Sequence, residues 1–111
     1  MRSRPPRQPK KKLERETEAQ CRKHAETLGF RLLKFVSPGA PGMTDRILLP
    51  PSGGCVVFVE FKRPGERPTP LQEAWHKDLR RRGFLVWVIH SFDIFKANCA
   101  GLYTLARATT A

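Results

Sequence analysis

The spacing of apolar and polar positions divides the chain into an ordered series of elements. Across residues 13–28, Leu13, Thr17, Cys21, Ala25 and Leu28 recur at threes and fours, the period of one helical face. Gly29 then suits the left-handed cap that ends a helix. Residues 30–36 read as a first strand, and the Gly- and Pro-rich loop 37–42 leads to Asp45. Residues 45–49 and 55–62 are two further strands, both rich in branched or aromatic residues, with turn-forming residues 50–54 between them. Thr69, Pro70 and Gln72 carry a helix-start signature: Thr as N-cap, Pro at the first position, and Gln three after the cap. The helix they open shows Leu71, Trp75, Leu79 and Arg82 on successive turns and stops at Gly83. Residues 84–89 form a nearly unbroken apolar run, expected as a strand buried on both faces. Ser91 can cap a short helix over residues 92–98, and the last residues are weakly patterned.

The order helix, strand, hairpin strands, helix, strand is α/β, with a mixed sheet flanked by helices. A helical crossover precedes the last strand, which is therefore expected parallel to the strand carrying Glu60. At 111 residues the chain has room for a single small core. Residues 1–12, basic and free of acids, read as a disordered tail, residues 13–99 as the folded domain, and residues 100–111 as a C-terminal tail.

Two positions on the hairpin stand out. Side chains alternate across a strand, so Glu60 and Lys62 share one face and Phe61 takes the other. If Ser52 and Gly53 centre the turn, Asp45 falls opposite Glu60, with Cβ atoms roughly 5 Å apart. Two bare carboxylates at that distance repel by about 3 kcal/mol at an effective dielectric near 20, and a divalent cation reverses the sign. Oxygen donors of this kind favour Mg²⁺ or Mn²⁺ over zinc. Equally, Glu60 and Lys62 can form a strand-end ion pair, and Asp45 can pair with Arg46 or Arg63.

Charge narrows the class of partner. The chain holds 21 Lys and Arg against 10 Asp and Glu, a formal net charge of +11, which points to a polyanion, most simply nucleic acid. No apolar run approaches the roughly 20 residues that span a bilayer. The N-terminus has no apolar signal core, so a cytoplasmic protein is expected. Cys21, Cys55 and Cys99 are too scattered for a disulfide framework or a zinc site and are expected as buried thiols. His24, His76 and His90 fall at no ligand spacing and read as packing or surface residues. The basic second half of the Pro70 helix, with Lys77, Arg80 and Arg81, suits both the helix dipole and phosphate contact.

Taken together, residues 34–39, the stretch from Gly42 to Asp45, Val59-Glu60-Phe61-Lys62, Pro70-Leu71-Gln72 and the closing run from Gly83 to Ile89 resemble the VRR-NUC branch of the PD-(D/E)xK nucleases. The resemblance implies a restriction-endonuclease-like core of order αβββαβ. It implies that Asp45 and Glu60 are metal carboxylates, that the main-chain carbonyl of Phe61 completes the metal shell, and that Lys62 is the catalytic lysine, acting by charge stabilisation. Glu18 matches the helical acid, a third carboxylate ligand of the metal, with Glu14 and Glu16 as alternatives. Gln72 matches a glutamine near the active centre, although its capping role accounts for it as well. Ser37, Gly39, Arg46, Arg63, Arg67, Lys77, Arg80 and Arg81 are the expected DNA contacts. Thr44 departs from the family, which usually places proline before the first Asp. The implied activity is Mg²⁺- or Mn²⁺-dependent cleavage of branched DNA by a Holliday-junction-resolvase-like homodimer. Flap or nick cleavage is the alternative, and a nuclease-fold protein that binds DNA without cutting is a further one.

Overall fold

The computed structural model describes residues 10–109, and the side chains of residues 15–103. Residues 1–9, most of the expected basic tail, lie outside the described residues. Seven elements follow in order: α1 (Lys10–Thr27), β1 (Arg31–Lys34), β2 (Arg46–Leu49), β3 (Val57–Phe61), α2 (Pro70–Arg81), β4 (Leu85–Ile89) and α3 (Phe92–Thr109). The four strands form one sheet in the order β1-β2-β3-β4. The β1–β2 and β2–β3 pairs are antiparallel, and β3–β4 is parallel, as the α2 crossover requires.

Alternation along the strands sorts the side chains into two layers. Leu32, Leu48, Val57, Val59 and Ile89 point to one face, where Cys21 and Ala25 of α1 and Phe95 and Cys99 of α3 close the core. Fully burying an aliphatic or aromatic side chain of this kind contributes about 1.5–3 kcal/mol. Phe58, Glu60 and Val86 take the opposite parity. That face is covered by α2, whose buried residues are His76 and Leu79. The result is a sheet between an α1–α3 layer and the single helix α2.

Local chemistry explains the boundaries. Gly29, at φ +83, ends α1. Phe30 N–H donates to the Ala25 carbonyl and Gly29 N–H to that of Glu26, the paired bonds of a Schellman cap. At the start of α2 the expected capping box is present: Gln72 N–H donates to Thr69 Oγ1, and Thr69 N–H donates to Gln72 Oε1. The hairpin turn closes through Gly53 N–H to the Pro50 carbonyl, so Pro51 and Ser52 are its hydrogen-bonded centre.

Four expectations need correction. The run 84–89 has Val86 and Ile89 buried on opposite faces as expected, but it forms the edge strand of the sheet and its first residues, Phe84 and Leu85, are exposed. The last helix continues to Thr109 instead of ending near Asn98, which turns most of the expected C-terminal tail into helix. On α2 the buried stripe runs through His76 and Leu79, leaving Leu71 exposed. Cys55 is exposed because β3 begins only at Val57, whereas Cys21 and Cys99 are buried as expected.

Burial pushes the Cys21 and Cys99 thiols up to about 12. The thiolate is the reactive form. A thiol-specific reagent should therefore label Cys55 alone in the native protein and all three cysteines in denaturant. Rapid native labelling of all three would contradict this packing.

Candidate active site

The β2–β3 register fixes the geometry on which a nuclease centre would depend. Arg46 pairs with Val59, Ile47 with Phe58 and Leu48 with Val57. Continued by one residue, the same register sets Asp45 across from Glu60, the pairing expected from the hairpin. Both residues lie at one end of the sheet, where β3 and β4 finish.

The loop before Asp45 is held from the far side. Trp75 Nε1–H donates to the Pro41 carbonyl at 2.9 Å. Gly42, at φ +82, lies so close to Leu71 that a Cβ there would approach the Leu71 side chain to 2.6 Å. A side chain at residue 42 would both strain the backbone and displace the loop from α2. Helix α2 thus sets the height at which Asp45 enters the sheet.

The side chains around this end fall into two groups. On the α1 side, Arg46 donates from Nε to Glu18 Oε1 and from Nη2 to Glu18 Oε2, both at 2.7 Å. This fork is the geometry that makes Arg–carboxylate pairs strong. Arg46 Nη1 also lies 3.1 Å from Asp45 Oδ2, so one guanidinium joins two of the expected acids. Its bond to Glu18, ahead of the other causes, raises the Arg46 pKa from its ordinary value. A cavity of about 660 Å³ opens here, lined by Glu18, Asp45 and Arg46 together with Arg15, Arg22 and Lys34.

On the α2 side, Glu60 is buried at 7% exposure, and its Oε1 lies 3.6 Å from His76 Nε2. His76 is itself buried, and its pKa is lowered by burial first, then by Arg80 and Lys62. The influence of Lys62 places its ammonium within electrostatic reach of the same spot. Glu60, Lys62 and His76 thus share one face of the sheet.

Most expected site residues are brought to this end, though not onto one point. Among the described residues no group of three or more His, Cys, Asp or Glu is gathered closely enough to hold a metal ion. Asp45 turns toward Arg46, and Glu60 toward His76. The donor set still suits a hard dication in kind and register: both residues carry carboxylate oxygens, and the Asp45 side chain is 61% exposed. Glu18 has both oxygens on Arg46, Glu16 is exposed, and the Glu14 side chain lies outside the described residues. Gln72 spends its amide oxygen on the helix cap.

Several expected DNA contacts are otherwise engaged. Arg46 is held by the two acids, and its side chain is only 13% exposed. Arg80 donates from Nη2 to the Val86 carbonyl, and Arg81 pairs with Asp78. Ser37, Gly39, Arg63, Arg67 and Lys77 remain at least partly exposed. Sequence reasoning missed His76, although it stands one helical turn after Gln72. It also missed Arg15 and Arg22, which with Glu18 follow the spacing of one helical face, and Lys34, the cross-strand partner of Arg46.

This topology is that of the restriction-endonuclease-like nucleases. Within that class the chain belongs to the VRR-NUC family: the VRR-NUC domain model matches residues 6–93. A solved structure described as a VRR-NUC domain superposes with a TM-score of 0.70 at 29% identity, covering 76% of this chain and 90% of the other. A protein described as "Putative nuclease p44", from Acyrthosiphon pisum secondary endosymbiont phage 1, is 45% identical over 67 residues, 60% of this chain and 71% of that protein.

Two measurements probe the site without any substrate. Arg46→Met keeps the apolar stem but strands Glu18, and should cost about 2 kcal/mol in urea unfolding, the scale of a charged hydrogen bond. Adding Glu18→Gln should recover part of that loss. For His76, the unfolded imidazole takes a proton near pH 6.5, while the folded one, with its lowered pKa, resists it. The unfolded state then binds more protons below that pH, so stability falls on acidification, by at most about 1.4 kcal/mol per pH unit. Urea titrations in EDTA between pH 7.5 and 5.5 should show this loss, and His76→Gln should remove its share. An unchanged slope in the variant would disprove the assignment.

Proposed function

We propose that this VRR-NUC nuclease is a Mg²⁺- or Mn²⁺-dependent endonuclease for branched DNA, acting as a homodimer in the manner of a Holliday-junction resolvase. The observation that carries the reading is the β2–β3 register, which sets Asp45 across from Glu60 with Lys62 two residues on, in a chain of net charge +11. The cavity lined by Arg15, Arg22 and Lys34 supports it, since three cations beside the acids suit a phosphate backbone. The edge strand β4, with Phe84 and Leu85 exposed, offers a surface for self-association. A two-fold dimer would set two sites on opposite strands of a junction. No helix among the described residues is long and apolar enough to cross a membrane, and the cytoplasm of a bacterial or phage-infected cell is the proposed compartment.

Asp45, Glu60 and the main-chain carbonyl of Phe61 are the groups that would hold the ion. When bound, Mg²⁺ or Mn²⁺ supplies Lewis acidity at the phosphate and lowers the pKa of water. Lys62 stabilises the negative charge that grows on the phosphate oxygens during in-line attack. His76 fixes one face of the Glu60 carboxylate, while Glu18 acts as the helical acid through Arg46, which it ties beside Asp45. Gln72 contributes its amide NH₂ as a donor near the same end of the sheet.

A second reading, DNA binding without cleavage, draws on the Arg46 ion pair of Asp45 and the His76 contact of Glu60. The two separate on labelled four-way junction, flap, nicked and linear duplexes with Mg²⁺, Mn²⁺ or EDTA. Cutting should require a divalent ion and favour the junction. Asp45→Asn and Glu60→Gln should each lower the rate by at least about 100-fold while DNA binding persists. Lys62→Ala should cost about 100- to 1,000-fold. Salt-sensitive binding with no cutting in any metal would establish the second reading.

A further inference from the structure

A cavity of about 300 Å³ lies beside Lys62 and shares no lining residue with the Arg46 cleft. Its walls are Phe61, Pro64 and Phe92, its rim carries Lys62 and Arg63, and Thr17 of α1 closes one side. Among the described residues no acidic one lines it. The rim is built before any ligand arrives: Arg63 N–H donates to Glu66 Oε1, and Glu66 N–H donates to the Arg63 carbonyl. His90 Nε2 lies 2.9 Å from the Glu66 carbonyl and ties this loop to the end of β4. Phe92 is braced edge-on by His24, with ring centroids 5.6 Å apart.

We infer that this cavity takes one nucleobase unstacked at a branch point, next to the scissile phosphate, and so makes the enzyme favour branched strands over continuous duplex. The volume is at the small end of ligand cavities, with room for one planar heterocycle. Aromatic walls accept any base by stacking, without sequence preference. Lys62 and Arg63 at the mouth meet the phosphates on either side of that base, and Lys62 joins the cavity to the catalytic strand. A base stacked in a paired duplex cannot enter without leaving its stack, an expense that an unpaired nucleotide avoids. The inference rests on the DNA-nuclease reading and adds to it the feature of the substrate that is read.

The test measures binding by fluorescence anisotropy in EDTA, so that it does not depend on cleavage. The probes are a flap substrate, versions of it with a single abasic residue moved through the unpaired nucleotides near the branch, and a linear duplex. One abasic position should weaken binding of the flap by about 10-fold, within the range for one base stacked on an aromatic ring. Thr17→Trp, which fills the cavity from α1, should weaken the intact flap to the same level, abolish the abasic effect and leave duplex binding unchanged. Affinity that ignores every abasic position overturns the inference, as does an abasic effect that survives Thr17→Trp. The scan on the unaltered chain decides the matter even where the variant disturbs α1. Failure to bind any of these DNAs would overturn the nuclease reading as well, whereas binding indifferent to the missing base overturns only the cavity's role.

Discussion

The antiparallel register between β2 and β3 is the constraint on which the site depends. The side-chain period of a strand is two, so a slip of one residue would reverse the faces of Asp45 and Glu60 relative to each other. What holds the register is hydrophobic: Leu48, Val57 and Val59 are fully buried against α1 and α3. Slipping β3 would trade these side chains for Phe58 and Glu60 and drive a carboxylate into an apolar layer, at a cost of several kcal/mol. The core thereby enforces the alignment of two acids that contribute nothing to it.

Each acid is then managed by a different neighbour. Asp45 and Glu18 share the Arg46 guanidinium on the α1 side, whereas Glu60 sits under α2 beside an imidazole kept neutral by burial. A like-charged pair at this spacing is unfavourable unless a cation intervenes. In the protein alone, one arginine meets part of that need. The arrangement ties two of the three carboxylates near this sheet end to a single arginine.

Much of this was legible in the sequence, and the gaps have physical causes. The hairpin, the capping box at Thr69 and Gln72, and the parallel last strand follow from local periodicity and from the handedness of crossovers. The edge position of β4 was not legible, because an apolar run has the same appearance whether one or both flanks are covered. His76 escaped notice because α2 turned its buried stripe by one residue, and a lone histidine carries no periodic signal. The Arg46 fork joins residues 28 apart in the chain. Nothing local reveals which of three closely spaced glutamates a distant arginine will select.

The placement of both acids on a hairpin has a consequence for how the molecule assembles. Strands β2 and β3 are neighbours in the chain, and closing the short turn between them carries a small entropic penalty. The crossover that delivers α2 and β4 closes a longer loop, and such non-local pairing tends to form later. Alignment of Asp45 and Glu60 can therefore arise while both are still hydrated. Glu60 loses its water only when α2 settles over the sheet and brings His76 with it. The dry environment of the centre is then a product of the final docking event, so a nascent chain carries the acids in line well before it carries a working pocket.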